Sequence, residues 1–290
     1  MDHHLDLANF TLGTRKSYVR GIRDLICHYL CLPEECTVAQ IKAFLIHQRD
    51  QKQLAASTLN IKVCGLKYYF REIAQRLDLV VKIPNPRIQK YDTEILTIQE
   101  VQRLRKVCRD MRQLLIVSIL YETGIRVREL SRLRISDFDK HHRTITIRNS
   151  KGNRTRVVEY GEQLRHTLVK YCKARGGVPP HTLLESYVDP TQPLTLRGIQ
   201  HIVRQIVKRS GLKKRISPHT FRHTFAVHFL NAGGTLPRLQ QLLGHKHLTT
   251  TLHYLKYAHI PASKKISVLD VFIQHTKAKP TSYQRSYQQQ

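Results

Sequence analysis

The chain has 290 residues, 41% of them hydrophobic, which is long enough for two domains with cores of their own and excludes disorder throughout. Its formal charge of +28 goes far beyond what solubility requires and points to a polyanionic partner, either nucleic acid or an anionic membrane surface. No apolar run reaches the roughly 18 residues of a membrane span, and the Met-Asp-His-His opening has no secretory character, so a cytoplasmic protein with no membrane partner is expected.

Residues 1–90 hold 14 Lys and Arg against 8 Asp and Glu, while residues 91–290 hold 35 against 13, so the excess charge sits on the second part. Without a secretory leader the six cysteines are expected to be reduced. Cys27, His28, Cys31 and Cys36 fit no usual zinc spacing, and the four-residue step from Cys27 to Cys31 in an apolar helical stretch favours buried packing.

Along the chain, Val19, Ile22, Ile26 and Leu30 recur at helical spacing within a helix expected over 14–30. Thr37-Val38-Ala39-Gln40 is a capping box for a second helix. A third is expected to open at Ser57, with Leu59, Val63, Leu66, Phe70 and Ile73 on its apolar stripe and Lys62, Lys67 and Arg71 off it. Those three cations are either a solvated face or a contact with the polyanionic partner. Ile83-Pro84-Asn85-Pro86-Arg87 cannot continue a helix, because each proline removes a donor and pushes its predecessor towards extended backbone, which predicts a domain boundary.

Thr97-Ile98-Gln99-Glu100 is another capping box, and the apolar run 114–120 predicts a buried helix stopped by Gly124. Thr144 to Ile147 and Thr155 to Val158 alternate about a Ser-Lys-Gly-Asn turn, a β-hairpin with Lys151 at its tip. After a Gly-Gly-Val-Pro-Pro loop at 176–180, helices are expected over 195–208, 236–243, with Gly244 as cap, and 267–275. Residues 277–290 are polar and aperiodic, and are expected to be disordered.

The chemistry concentrates in three places. Ser-Pro-His219-Thr-Phe-Arg222-His223 sets an imidazole and a guanidinium three residues apart on one helical face, where both can meet one phosphate. Gly124-Ile-Arg126-Val-Arg-Glu129-Leu places a second arginine just past a helix stop, and Leu-Gly-His245 precedes Tyr254 by nine residues. The order Arg, Lys, His-x-x-Arg, Gly-His, Tyr resembles the tyrosine recombinases of the phage-integrase and Xer group, over most of the chain.

That resemblance implies a mainly α fold with a small β-hairpin or sheet, built as a DNA-clamping pair: a helical, SAM-like core-binding domain over 1–85, a linker over 86–95 and a catalytic domain over 96–276. It implies that Tyr254 attacks a phosphodiester to give a 3′-phosphotyrosyl link and a free 5′-hydroxyl, needing no metal, cofactor or ATP. Arg126 and Arg222 would clamp the phosphate, since guanidinium pairs bidentately with it and stays charged. Lys151, in Lys-Gly-Asn-Arg-Thr-Arg, would protonate the leaving 5′-oxygen. His219 would carry the proton near Tyr254, with His245 as second imidazole, Glu129 as support, and Arg148, Arg154 and Arg156 on backbone phosphate. The partners implied are a double-stranded recombination site and other copies of the chain, two on each site and four in synapsis, with helix 267–275 docking on a neighbour.

Other readings of the same residues remain open here. Arg126 also suits a salt bridge with Glu129, Tyr257 is the alternative nucleophile, and His219 with His223 at i, i+4 has the spacing of a metal pair, although no Glu follows His219 as in zinc hydrolases. A type IB topoisomerase-like relaxase or a catalytically silent DNA-binding protein would keep parts of the same pattern.

Overall fold

The computed structural model describes residues 1–87, 92–148 and 155–259. The chain divides into two compact units, Met1–Asp92 and Thr93–Gln290. The division falls inside the expected 86–95 linker, after Ile83 has closed the first core.

The first unit is helical: α1 (Asp2–Leu7), α2 (Leu12–Tyr29), α3 (Val38–Asp50), α4 (Ala56–Glu72) and α5 (Leu77–Lys82). Thr11 caps α2 through Thr14 N–H, and Thr37 and Gln40 form the expected capping box on α3. The opening expected at Ser57 lies earlier, with Ala55 as cap. Ile22, Leu25, Ile41, Phe44, Val63, Leu66 and Phe70 fill the core, each fully buried apolar side chain being worth roughly 1.5–3 kcal/mol. Helices α2 and α4 pack backbone to backbone because Gly65 has no side chain: a Cβ there would stand 3.0 Å from Tyr18 Cα.

Two sequence readings are corrected in this unit. Cys27 is exposed, while Cys36 is buried with its sulfur 3.6 Å from that of Cys31, and burial and that neighbour push its thiol up to about 12. Lys62 is buried rather than off the apolar stripe: it donates to Asp24 and, at 2.8 Å, to Gln48 Oε1. These bonds join α4 to α2 and α3, so Lys62 is structural.

The second unit comprises α6 (Ile98–Lys106), α7 (Met111–Thr123), α8 (Val127–Arg132), β1 (Phe138–Asp139), β2 (Thr144–Ile147), β3 (Arg156–Glu159), α9 (Glu162–Arg175), α10 (Leu196–Ser210), α11 (Pro218–Asn231), α12 (Leu236–Leu243) and α13 (Leu248–Leu252). Helix α7 is its axis, apolar on every side, with Leu115 to Leu120 inaccessible to water and with α6, α8, α9, α10 and α11 around it. The hairpin forms in antiparallel register, Thr144 opposite Glu159 and Ile147 opposite Arg156, and β1 adds a third strand beside β2. A second apolar cluster joins α11 and α12 to the segment after α13 through Ala226, Val227, Leu230, Leu239, Leu243 and Tyr254.

Lys151 and Arg154 at the hairpin tip, the expected helix at 267–275 and the expected tail at 277–290 lie outside the described residues.

Candidate active site

The site begins where α7 ends. Gly124 has φ 59°, in the left-handed region that ends helices, and a Cβ there would lie 2.4 Å from the Phe225 ring, so both backbone and space demand glycine. The turn delivers Arg126 to the N-cap of α8, where its backbone N–H donates to Glu129 Oε2 at 2.7 Å and its guanidinium to Oε1 at 3.2 Å. The Arg126 side chain remains 36% exposed.

Helix α11 starts at Pro218, a residue pre-set for a first helical turn, and presents His219, Arg222 and His223. Arg222 is 4% exposed and donates to the Gly124 carbonyl at 2.7 Å and the Leu243 carbonyl at 2.6 Å. These oxygens close α7 and α12, where carbonyls lack intrahelical donors and the helix dipole favours a cation. Burial, then Arg126, push the Arg222 guanidinium down to about 10, still protonated at neutral pH.

Gly244, with φ 63°, ends α12 and turns the chain into His245. Arg222 Nη2 is 3.0 Å from His245 Nε2, and since arginine only donates, that nitrogen is the acceptor. Nδ1 then carries the proton and donates to the buried Thr251 hydroxyl at 3.0 Å. Burial and the nearby Arg222, Arg126 and Arg156 push this imidazole down to about 4, holding it neutral.

Tyr254 sits on a short 3-10 turn, His253–Lys256, and is 4% exposed. Its ring lies parallel to that of His245, 6.3 Å apart at 13°. Burial raises its phenol, opposed by Arg222 and Arg126. Its oxygen shares a 3.0 Å hydrogen bond with His223 Nδ1. His219, expected to fill that place, is an exposed residue on the first turn of α11, its imidazole lowered by burial and by Arg222 and Arg126. Tyr257 spends its oxygen elsewhere, accepting from Thr93 N–H at 3.0 Å.

Arg156 requires a correction. Its side chain is 9% exposed and donates to both Glu129 oxygens, at 2.8 and 2.7 Å, and to the Leu242 carbonyl at 2.7 Å. With three of its five N–H donors engaged inside the protein and little of the side chain open to water, Arg156 ties β3 to α8 and to the end of α12. Glu129, kept below the ordinary carboxylate range by Arg156 against the effect of burial, stands between that arginine and Arg126. Arg148 is exposed, 3.0 Å from buried Asp137. In the first unit Lys67 is half-buried, and Arg71 is exposed beside Glu72 at 2.5 Å.

The structure thus gathers Arg126, Arg222, His245 and Tyr254 and adds His223, while His219, near enough to Arg222 and Arg126 for both to depress its imidazole, makes no hydrogen bond to Tyr254 among the described residues. His223 had a signal in the sequence, its i, i+4 relation to His219, but nothing there linked it to a tyrosine 31 residues away. Among the described residues no group of three or more His, Cys, Asp or Glu is placed to hold a metal ion, and no helix is long and apolar enough to cross a membrane.

Residues 94–259 match the Phage integrase family, and residues 1–77 match the Phage integrase, N-terminal SAM-like domain. Among curated relatives, the tyrosine recombinase XerA of Pyrococcus furiosus is 33% identical over 84% of this chain and 85% of its own. The tyrosine recombinase XerC of Bacillus subtilis is 31% identical over 76% of this chain and 77% of its own. Among solved structures, XerA recombinase aligns at 25% identity and TM-score 0.53, covering 97% of this chain and 96% of its own. A lambda integrase dimer bound to a COC′ core site shares the fold at TM-score 0.70 and 22% identity, over 86% of this chain and 93% of that one. The matched residues include the whole arginine, histidine and tyrosine constellation, and the chain belongs to the phage integrase family of tyrosine recombinases.

Proposed function

We propose that this site-specific recombinase cuts and rejoins duplex DNA with Tyr254 as nucleophile. The observation that carries the assignment is the packing of Tyr254 on His245 while Arg222 donates to that same imidazole, which sets nucleophile and clamp in one buried cluster. Arg126, with a partly exposed guanidinium, meets the scissile phosphate first; Arg222 has five N–H donors, of which three are engaged within the described residues. Tyr254 Oη bonds to phosphorus as the 5′-oxygen leaves, protonated by Lys151. The 3′-phosphotyrosyl ester conserves the bond energy, so a second strand's 5′-hydroxyl reverses the step without ATP or metal.

Residues 1–85 serve as the core-binding domain, with Lys67 and Arg71 towards DNA, and 96–276 as the catalytic domain, with Arg148 and Arg154 on the phosphate backbone. Two copies act on each site and four in synapsis, with helix 267–275 docking on a neighbour. A lambda integrase tetramer bound to a Holliday junction has this fold, at TM-score 0.72 and 20% identity over 92% of this chain and 78% of that one. The work takes place in the cytoplasm.

The test is to incubate the full chain with nicked duplexes cut from the DNA that flanks its gene, then separate the products in SDS. A protein–DNA adduct mapped to Tyr254 by mass spectrometry supports the reading. DNA binding without an adduct, or an adduct at Tyr257, overturns it.

A further inference from the structure

Cys31 and Cys36 stand at the two ends of the turn that joins α2 to α3, with their sulfurs 3.6 Å apart, a contact no other cysteine pair makes among the described residues. Apart from the recombination chemistry, we propose that these thiols are a modification site, closed by a low-molecular-weight disulfide such as oxidised glutathione into a reversible Cys31–Cys36 bond. The fold holds the pair together from several sides. Leu30, with φ 53°, ends α2 and turns the chain out of the helix. Pro33 opens the 3-10 turn Pro33–Glu35, and the Glu35 carboxylate accepts from Leu32 N–H at 3.1 Å. The Tyr69 hydroxyl of α4 donates to the Glu34 carboxylate, and Arg76, at the start of α5, donates to the Glu34 carbonyl at 3.1 Å. Tyr29, the last residue of α2, donates its hydroxyl to the Gln40 carbonyl of α3 at 2.9 Å. Both cysteines themselves lie outside α-helix, Cys31 in a bend and Cys36 in extended backbone, so their side chains can rotate without breaking a helical hydrogen bond. A disulfide sets its sulfurs about 2 Å apart, so each has to move by roughly 0.8 Å.

The two cysteines differ in access, and that orders the steps. Cys31 is half-buried and meets the reagent first, whereas Cys36 is 2% exposed. The Cys31 thiolate attacks one sulfur of glutathione disulfide, and the Cys31–glutathione bond forms as that disulfide breaks and one glutathione leaves. The Cys36 thiolate then attacks the Cys31 sulfur, and the new bond forms as the second glutathione leaves. Two protein thiols are oxidised, one disulfide is reduced to two glutathione thiols, and the two protons end on those thiols. Burial, then Cys31, push the Cys36 thiol up to about 12, and the share due to Cys31 disappears once Cys31 has reacted. Closure ties the end of α2 to the entry of α3 and makes the first unit sensitive to the thiol–disulfide balance around it.

The experiment equilibrates the full chain carrying Cys27→Ser, which removes an exposed neighbour, in glutathione buffers of rising disulfide content. Samples are quenched with N-ethylmaleimide, digested with trypsin and weighed. The peptide 24–42, which then holds Cys31 and Cys36 alone, is expected to become two hydrogens lighter and take no maleimide, and to take two after dithiothreitol. Glutathione retained on Cys31 beside a maleimide on Cys36, or two maleimides in glutathione disulfide alone, would overturn the proposal. The same map of the parent, with fragment ions placing the one remaining reagent on Cys27, is the second reading, and a reagent on Cys31 or Cys36 there counts against it equally. At a fixed glutathione balance the ratio of closed to open chain is expected to be roughly tenfold or more higher in buffer than in urea, with a matching rise in the urea midpoint of the closed chain. Equal ratios would show that closeness in sequence makes the bond, and the fold's part in it would be refuted.

Discussion

Arg156 on β3 and Glu129 on α8 meet through two parallel hydrogen bonds of 2.8 and 2.7 Å, both side chains nearly closed to water. Through Glu129 the strand that leaves the hairpin is joined to Arg126, and through the Leu242 carbonyl it is joined to the turn carrying His245. Gly244 makes room for this, since a Cβ there would stand 3.1 Å from Arg156 Cδ. Arg156→Met takes from buried Glu129 its two shortest charged hydrogen bonds, leaving it Arg126 alone, and is expected to cost on the order of 3 kcal/mol, read from denaturant unfolding. The salt dependence of DNA affinity separates this role from phosphate contact: the slope should hold for Arg156→Met, whereas loss of a true phosphate contact lowers it by about 0.9.

Tyr254→Phe removes one oxygen and its bond to His223 and is expected to bind duplex DNA within a fewfold of the parent while forming no adduct. Tyr257→Phe should retain the adduct, because that hydroxyl serves Thr93. Gel shift and SDS separation of the same samples check both outcomes.

Adduct formation should proceed unchanged in EDTA. Arg126 and Arg222 supply fixed positive charge where other nucleases use a metal ion. A rate that falls on chelation and returns with magnesium would show that the arginines are insufficient.

Stability should decline in acid through the active-site imidazoles. His223 and His245 titrate near 4 in the fold, below the ordinary value of 6.5, so between these limits the unfolded chain binds more protons than the native one. Their contribution is complete above about 6.5 and lost as pH falls towards about 4. His245→Asn is expected to flatten the fall of unfolding free energy over this window by up to about one proton, measured in denaturant at pH 7, 5.5 and 4.5.

Lys151→Ala is expected to lose cleavage of ordinary DNA by about 10²-fold or more, and to regain most of it when sulfur replaces the scissile 5′-oxygen, since a thiolate leaves without a proton. Rescue of Arg154→Ala in its place would move the acid along the hairpin.

Where a local rule decides, the sequence announces the structure: both capping boxes, the stops at Gly124 and Gly244 and the hairpin pairing stand as expected. Helix α9 went unread because its charged face dilutes an apolar stripe of Leu164, Leu168 and Tyr171, though Gly176 at φ 88° caps its end. Three side chains whose partners the sequence did not give share one cause. Lys62, Arg156 and His223 take their roles from partners in other elements, Asp24, Glu129 and Tyr254, and no spacing rule relates residues so far apart. A basic residue in a basic chain reads as a surface group until its carboxylate is seen.

The two carbonyls held by Arg222 give that residue a second standing. Beside the part proposed for it on phosphate, it is a cross-tie between the ends of α7 and α12, and its removal strands two buried oxygens. Loss of activity by drift therefore has an easy route and a hard one. Tyr254 can be replaced by phenylalanine with little harm to the fold, whereas a chain that discards Arg222 gives up structure together with chemistry. A silent descendant of this enzyme would be recognised by an intact arginine beside a missing tyrosine.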